Sequence, residues 1–153
     1  MAEFGKGITF LSSQSDIKKG GVGVMGFCMG GRLSFLANAA HADQMKAAIS
    51  FYGGGIAAMP DPLGRANLLD QVSKIKAPMM LMYGAEDQSI PVEEHQRIAL
   101  ALSQAKKRYS LNVFPKAKHG FFSDRRDSYS ADASAEAWAM TLSFLDRFLK
   151  GKT

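Results

Sequence analysis

The sequence holds one cysteine, three histidines and no long apolar run, and each scarcity removes a class of protein. A single cysteine cannot close an internal disulfide, so a disulfide-stapled secreted scaffold is excluded and the chain reads as working in a reducing cytoplasm. No pair of histidines or carboxylates has the spacing of metal ligands, so no metal is expected. Crossing a bilayer takes ~20 apolar residues in succession, and none is present; the N-terminus also lacks the basic, apolar and small-residue order of a signal peptide. Acidic residues are outnumbered, giving a net charge of +5. The excess is scattered over Lys18-Lys19, Lys106-Lys107-Arg108, Lys116 with Lys118, and Arg125-Arg126. Without a dense basic run or interleaved aromatics, no nucleic-acid partner is expected and the charges read as a solvated surface.

With 46% hydrophobic and 22% charged residues, the composition is that of an ordinary soluble domain. Its length suits a single domain over 1–153. The rest of the chain is organised around Gly21 to Arg32. Val22, Val24 and Met25 suit a strand buried on both faces of a parallel sheet, and Leu33, Leu36, Ala37 and Ala40 follow the spacing of a helix face. Cys28 falls at the turn between them. Gly26 and Gly30 supply the small residues that a close strand-to-helix approach needs, so Gly26-Phe27-Cys28-Met29-Gly30 matches the G-x-S-x-G nucleophile elbow with sulfur for oxygen. The following helix directs its positive end at the sulfur, which favours a thiolate, and the Met29 N–H is placed to hold an oxyanion. A lone cysteine is more often a small buried hydrophobe, so its partners must decide the reading.

The remaining chain alternates strands and helices. Residues 1–16 read as the tail of a helix weakened by Gly5 and Gly7. Further strands are expected over 47–52, 79–84 and 109–114, a short helix near 68–75, a helix from Val92 to the basic group at 106–108, and a last helix over 132–149. That last helix carries Ala137, Trp138, Leu142, Leu145, Phe148 and Leu149 on one face. The alternation predicts a parallel sheet with helices on both faces, and functional groups at the C-terminal ends of its strands. Gly53-Gly54-Gly55, closing the second strand, suggests a loop pressed against a ligand or another backbone.

Two of those strand ends carry chemistry. Gly84-Ala85-Glu86-Asp87 follows the third strand, and Lys118-His119-Gly120-Phe121-Phe122 follows the fourth. The order nucleophile, acid, histidine is that of α/β-hydrolase triads. His119 would take and return the proton, and Asp87 would fix its tautomer, with Glu86 left as an alternative acid. His41 and His95 read as surface residues.

Gly26-Phe27-Cys28-Met29-Gly30-Gly31, Phe51-Tyr52-Gly53, Tyr83-Gly84 leading to Glu86-Asp87, and His119-Gly120-Phe121 together resemble the dienelactone hydrolase family. The resemblance covers nearly the whole chain. It implies an α/β-hydrolase-like three-layer sandwich with a mainly parallel sheet, and a Cys28-His119-Asp87 triad that opens small esters or lactones without a cofactor. It further points to Tyr52, Phe121 and Ser123 as substrate-binding residues. Ser123 stands where dienelactone hydrolase has an arginine for the substrate carboxylate; Arg125 and Arg126 lie close by.

Family members have further strands before the elbow, so the chain resembles an N-terminally truncated member. The part not represented normally supplies a second oxyanion N–H, a glutamate that helps form the thiolate, and part of the pocket. A rival reading follows: a catalytically idle hydrolase fold serving as a binding or interaction module. Sequential right-handed crossovers would also leave the strand at 22–26 on one edge of the sheet, unpaired and apolar, which predicts a homodimer.

Overall fold

The computed structural model describes residues 1–151. The elements run α1 (Ala2–Ser13), β1 (Val22–Phe27), α2 (Met29–Ala40), β2 (Met45–Phe51), a 3-10 helix (Leu69–Lys74), β3 (Met79–Gly84), α3 (Val92–Gln104), β4 (Tyr109–Phe114) and α4 (Ala131–Leu149). The four strands are parallel and lie in the order β1-β2-β3-β4. Short helical crossovers that always step the same way produce this order, because each strand pairs with the one just laid down.

Residue parity in β1 separates the layers. A side chain at Gly26 would run into Gly30 and Ser34 of α2, whereas one at Gly23 would meet Leu145 and Leu149 of α4. Even positions of β1 therefore face α2, and odd positions face α4. Ile8 of α1, with Phe4 beside it, packs against Met45, Val22 and Val24 on the α2 side. Between the layers, β2 and β3 are buried almost throughout, with Ile49, Phe51, Met79, Leu81, Met82 and Tyr83 fully enclosed. Continuous apolar runs suit them because helices cover both faces.

Several expected faces are corrected. β1 is not buried on both sides: only Gly26 is, and Met25 is 38% exposed, because β1 is an edge strand. On α2, Phe35, Ala37 and Ala39 go inward while Leu33 and Ala40 face out. On α4 the inner line is Ala133, Ala137 and Thr141, leaving Trp138 and Leu142 exposed. In both helices the large apolar residues pulled the reading toward themselves, while the close approach to the sheet is made by small ones. His95 is also not a surface residue. It is buried on the inner side of α3 with Ile98 and Leu102, its ring stacked 4.1 Å from that of Tyr83, and burial lowers its pKa. His41 is half-buried at the end of α2, stacked on Phe4.

The elbow glycines are not equivalent. A Cβ on Gly26 would stand 2.0 Å from the Gly30 carbonyl oxygen, one on Gly31 would stand 2.7 Å from that of Phe51, and one on Gly30 would meet nothing. Gly30→Ala should therefore be tolerated, since alanine in a helix is favoured over glycine by ~0.5–1 kcal/mol. Gly26→Ala should cost at least the ~1–3 kcal/mol of overpacking. Urea denaturation of the two variants checks this: the midpoint should fall for Gly26→Ala and hold or rise for Gly30→Ala.

Candidate active site

The turn from β1 into α2 holds Cys28 at φ 54°, ψ −118°, outside the regions that L residues ordinarily occupy. Its N–H donates to the Phe51 carbonyl at 2.9 Å, and its own carbonyl accepts from Gly31 and Arg32. Pinned at both ends, the residue keeps its strained conformation and presents an exposed thiol. Met29 opens α2, so its N–H belongs to the first turn, where no intrahelical carbonyl is available.

The acid and histidine loops are pressed together. A side chain on Gly84 would come within 2.3 Å of the Ala117 carbonyl oxygen, and the Glu86 N–H donates to that same carbonyl at 2.9 Å. This contact carries Asp87 beneath His119. Asp87 Oδ2 lies 2.8 Å from His119 Nδ1, and Oδ1 accepts from the Ser89 N–H at 2.8 Å, which aims the carboxylate. On the other side of the ring, His119 Nε2 lies 3.3 Å from Cys28 Sγ. Glu86, the alternative acid, points to solvent.

Electrostatics follow the geometry. The His119 pKa is raised to about 9, first by its hydrogen bond to Asp87, against the opposing effect of burial, and then by its bond to Cys28. Tyr52 is pushed up to about 12, mainly by burial and secondarily by Cys28. Its phenol therefore stays protonated and able to donate. The Tyr52 ring meets the His119 ring edge-on at 5.2 Å.

A cleft of about 420 Å³ opens over the sulfur, lined by Phe27, Tyr52, Phe122, Ser123 and Arg126 along with Cys28 and His119. Tyr52 and Ser123 line it, whereas Phe121 does not: it is fully buried, packed between Phe51 and Phe114. Its neighbour Phe122 forms the wall, because the turn at 120–123 sends adjacent residues to opposite sides. Arg126 borders the cleft as well, while Arg125 is exposed beside Asp124. Phe27 and Phe122, stacked at 5.5 Å, come from elements far apart in sequence, and no spacing marks them as a pair. The triple glycine loop serves a backbone: a side chain on Gly53 would meet the N of Arg32 at 2.7 Å.

The raised His119 pKa makes stability depend on pH. A basic group whose pKa is higher in the folded state stabilises fully below its unfolded value near 6.5, and loses that contribution as pH rises through about 9. The stability of the protein relative to a His119→Gln variant should therefore decline between these values. Chemical denaturation of both proteins at pH 6, 7.5 and 9.5 checks it; a constant difference would refute the pairing with Asp87.

Comparison with known proteins identifies the family and the fold. The model of the dienelactone hydrolase family matches residues 2–149. A Saccharolobus solfataricus protein named "Putative carboxymethylenebutenolidase" is 38% identical over 146 residues, which are 95% of this chain and 50% of that protein. A Synechocystis protein of the same name is 35% identical over 86% of this chain and 52% of its own length. Among solved structures, a dienelactone hydrolase homologue from Klebsiella pneumoniae, 28% identical, superposes with a TM-score of 0.84 over 96% of this chain and 60% of that one. The chain thus spans about half the length of the curated relatives it matches. An elbow cysteine, an aspartate and a histidine in hydrogen-bonded line at the ends of β1, β3 and β4, on a chain matched almost from end to end, make it a member of the dienelactone hydrolase family.

Proposed function

We propose that the chain hydrolyses small esters or lactones with Cys28 as nucleophile, His119 as acid and base, and Asp87 as the residue that orients His119. The observation that carries this reading is the unbroken line from Asp87 Oδ2 through the imidazole to Cys28 Sγ at the floor of an open cleft. Sγ attacks the carbonyl carbon, and the Met29 N–H at the positive end of α2 holds the resulting oxyanion. As the tetrahedral species collapses, His119 passes its proton from Nε2 to the departing alkoxide, leaving a thioester on Cys28. His119 then takes a proton from water as the hydroxide attacks the thioester, and the tetrahedral species collapses by breaking the C–S bond, which releases the acid, whose proton goes to solvent, and restores the Cys28 sulfur beside protonated His119. Asp87 stabilises the imidazolium in both half-reactions.

The cleft suggests the substrate. Phe27 and Phe122 offer a flat apolar wall, Tyr52 and Ser123 offer hydroxyls, and Arg126 offers a cation. A compact unsaturated lactone or ester bearing a carboxylate fits these groups. A cytoplasmic setting suits an exposed thiol nucleophile, which oxidation would otherwise inactivate. We further infer that the chain works as a homodimer.

The rival reading is an idle hydrolase fold that binds without turnover. It is favoured by the elbow supplying one oxyanion donor, the Met29 N–H, since loss of one donor of a pair costs about 2.7–4 kcal/mol, or 10²–10³ in rate. Turnover of an activated ester separates the two. Cys28→Ala should abolish it, His119→Ala should lower kcat by about 10²–10⁴, and His41→Ala should leave it near the parent rate; equal rates in all three would defeat the assignment. Arg126→Ala should raise KM for an ester bearing a carboxylate by about 10-fold or more, while leaving a neutral ester little changed. A flat response across such a substrate pair would remove Arg126 from recognition.

A further inference from the structure

The loop from Gly55 to Ala66, between β2 and the 3-10 helix, is held from two sides. From α2, the buried Arg32 donates to the carbonyls of Gly55 and Ala66 and so ties the loop's two ends together. From α3, Glu94 and Arg97 take both polar groups of Ala57. The Ala57 N–H donates to Glu94 Oε1 at 3.0 Å, and Arg97 Nε donates to the Ala57 carbonyl at 2.7 Å. Within the loop, Arg65 Nε and Nη2 grip the Asp61 carboxylate side-on. Gly55 makes room for that pair, since a Cβ there would stand 2.3 Å from Arg65 Nη2. Between this loop and α3 remains a cavity of about 390 Å³, at the small end of the ~300–1,000 Å³ that ligand pockets occupy. Gln88 and Ser89 border it toward the acid loop, and it shares no lining residue with the cleft over Cys28.

Both signs of charge border this cavity. Asp61 neutralises Arg65, whereas Glu94 and Arg97 make no ion pair among the described residues. Glu94 is 1% exposed, and with Oε1 taken by Ala57 its Oε2 is left to the cavity. Arg32 and Arg65 lie close enough for their charges to interact with it, yet neither reaches it in an ion pair. A carboxylate so enclosed calls for a cation or further donors beyond one N–H. Much of the remaining lining is apolar, with Met59 and Leu63 70% and 72% exposed at the rim. We propose that this cavity binds a free α-amino acid with an aliphatic side chain, its ammonium on Glu94, its carboxylate on Arg97 and its side chain against Met59 and Leu63. Glu94 repels a simple anion and Arg97 a simple cation, while a zwitterion satisfies both. The two residues stand at i and i+3, neighbours at ~5–6 Å between Cβ atoms, which matches the close ammonium and carboxylate of an α-amino acid rather than the distant ends of a peptide. Pro60, Pro62 and Pro91 restrict the backbone around the cavity, so little ordering is left for the ligand to impose.

Titration calorimetry of the full chain with L-leucine tests the proposal. Leucine should bind saturably, one per chain. Isocaproate and isopentylamine carry the same side chain with one charge each, and should bind about 10-fold more weakly or worse. Glu94→Gln keeps an oxygen for the Ala57 N–H and removes the charge, so it should weaken leucine by about 10-fold or more. Leu63→Ser, at the exposed rim where folding is little affected, should weaken leucine and leave glycine unchanged. Cys28→Ala should bind leucine as the parent does, because the cavity and the cleft share no residue. Should Glu94→Gln lose its circular dichroism, Leu63→Ser and the three probes decide. The absence of saturable binding at millimolar leucine overturns the proposal. So do equal binding of the three probes, loss of binding in Cys28→Ala, or parent-like binding of leucine in every folded cavity variant. None of these measurements reads ester turnover, so the triad stands or falls separately.

Discussion

The structure depends on how closely α2 approaches β1. The Gly30 carbonyl comes so near Gly26 that no side chain fits between them, and that closeness makes the turn at Cys28 abrupt enough to hold its backbone at a positive φ. A gentler turn would lay the thiol against the sheet. The abrupt one lifts it clear and sets it at the start of a helix, where backbone N–H groups and the helix dipole favour negative charge. One steric fact therefore supplies exposure, orientation and electrostatics together.

A second close approach completes the site in the same way. Gly84 admits the Ala117 backbone, so the loops after β3 and β4 lie in contact and Asp87 is carried under His119. With the Asp87 carboxylate fully enclosed, the hydrogen bond to His119 is kept from water, which is why the imidazole holds its proton to about pH 9. Gly31 and Gly53 repeat the theme on the inner side of the elbow, where the triple glycine loop packs against the first turn of α2. Glycine here acts less through conformational freedom than through the absence of a side chain where backbones meet.

The cleft is lined by aromatic and polar side chains together, and its lining follows from topology. β1 is an edge strand, so Phe27 is half covered and can serve as a wall, while its even-numbered neighbours are tied to α2 and β2. The loop after His119 folds back over it, turning Phe122 and Arg126 toward the cleft and Phe121 into the core.

The sequence by itself determined the alternation of strands and helices, the place of each candidate site residue at a strand end, and the parallel order, because these depend on local periodicity and on turn chemistry read over a few residues. Cys28, Asp87 and His119 were legible for that reason: glycines mark all three loops. Only the tertiary structure decided which side of each element faces inward. Leu33, Trp138 and Leu142 are apolar but exposed, His95 and Glu94 are polar but buried, and Phe121 and Phe122 part company at a single turn. Burial is a relation between elements, and where small residues make the close contact, the largest side chains are left outside it. Which glycine of the elbow must be glycine was likewise settled only by the backbone it meets across the turn.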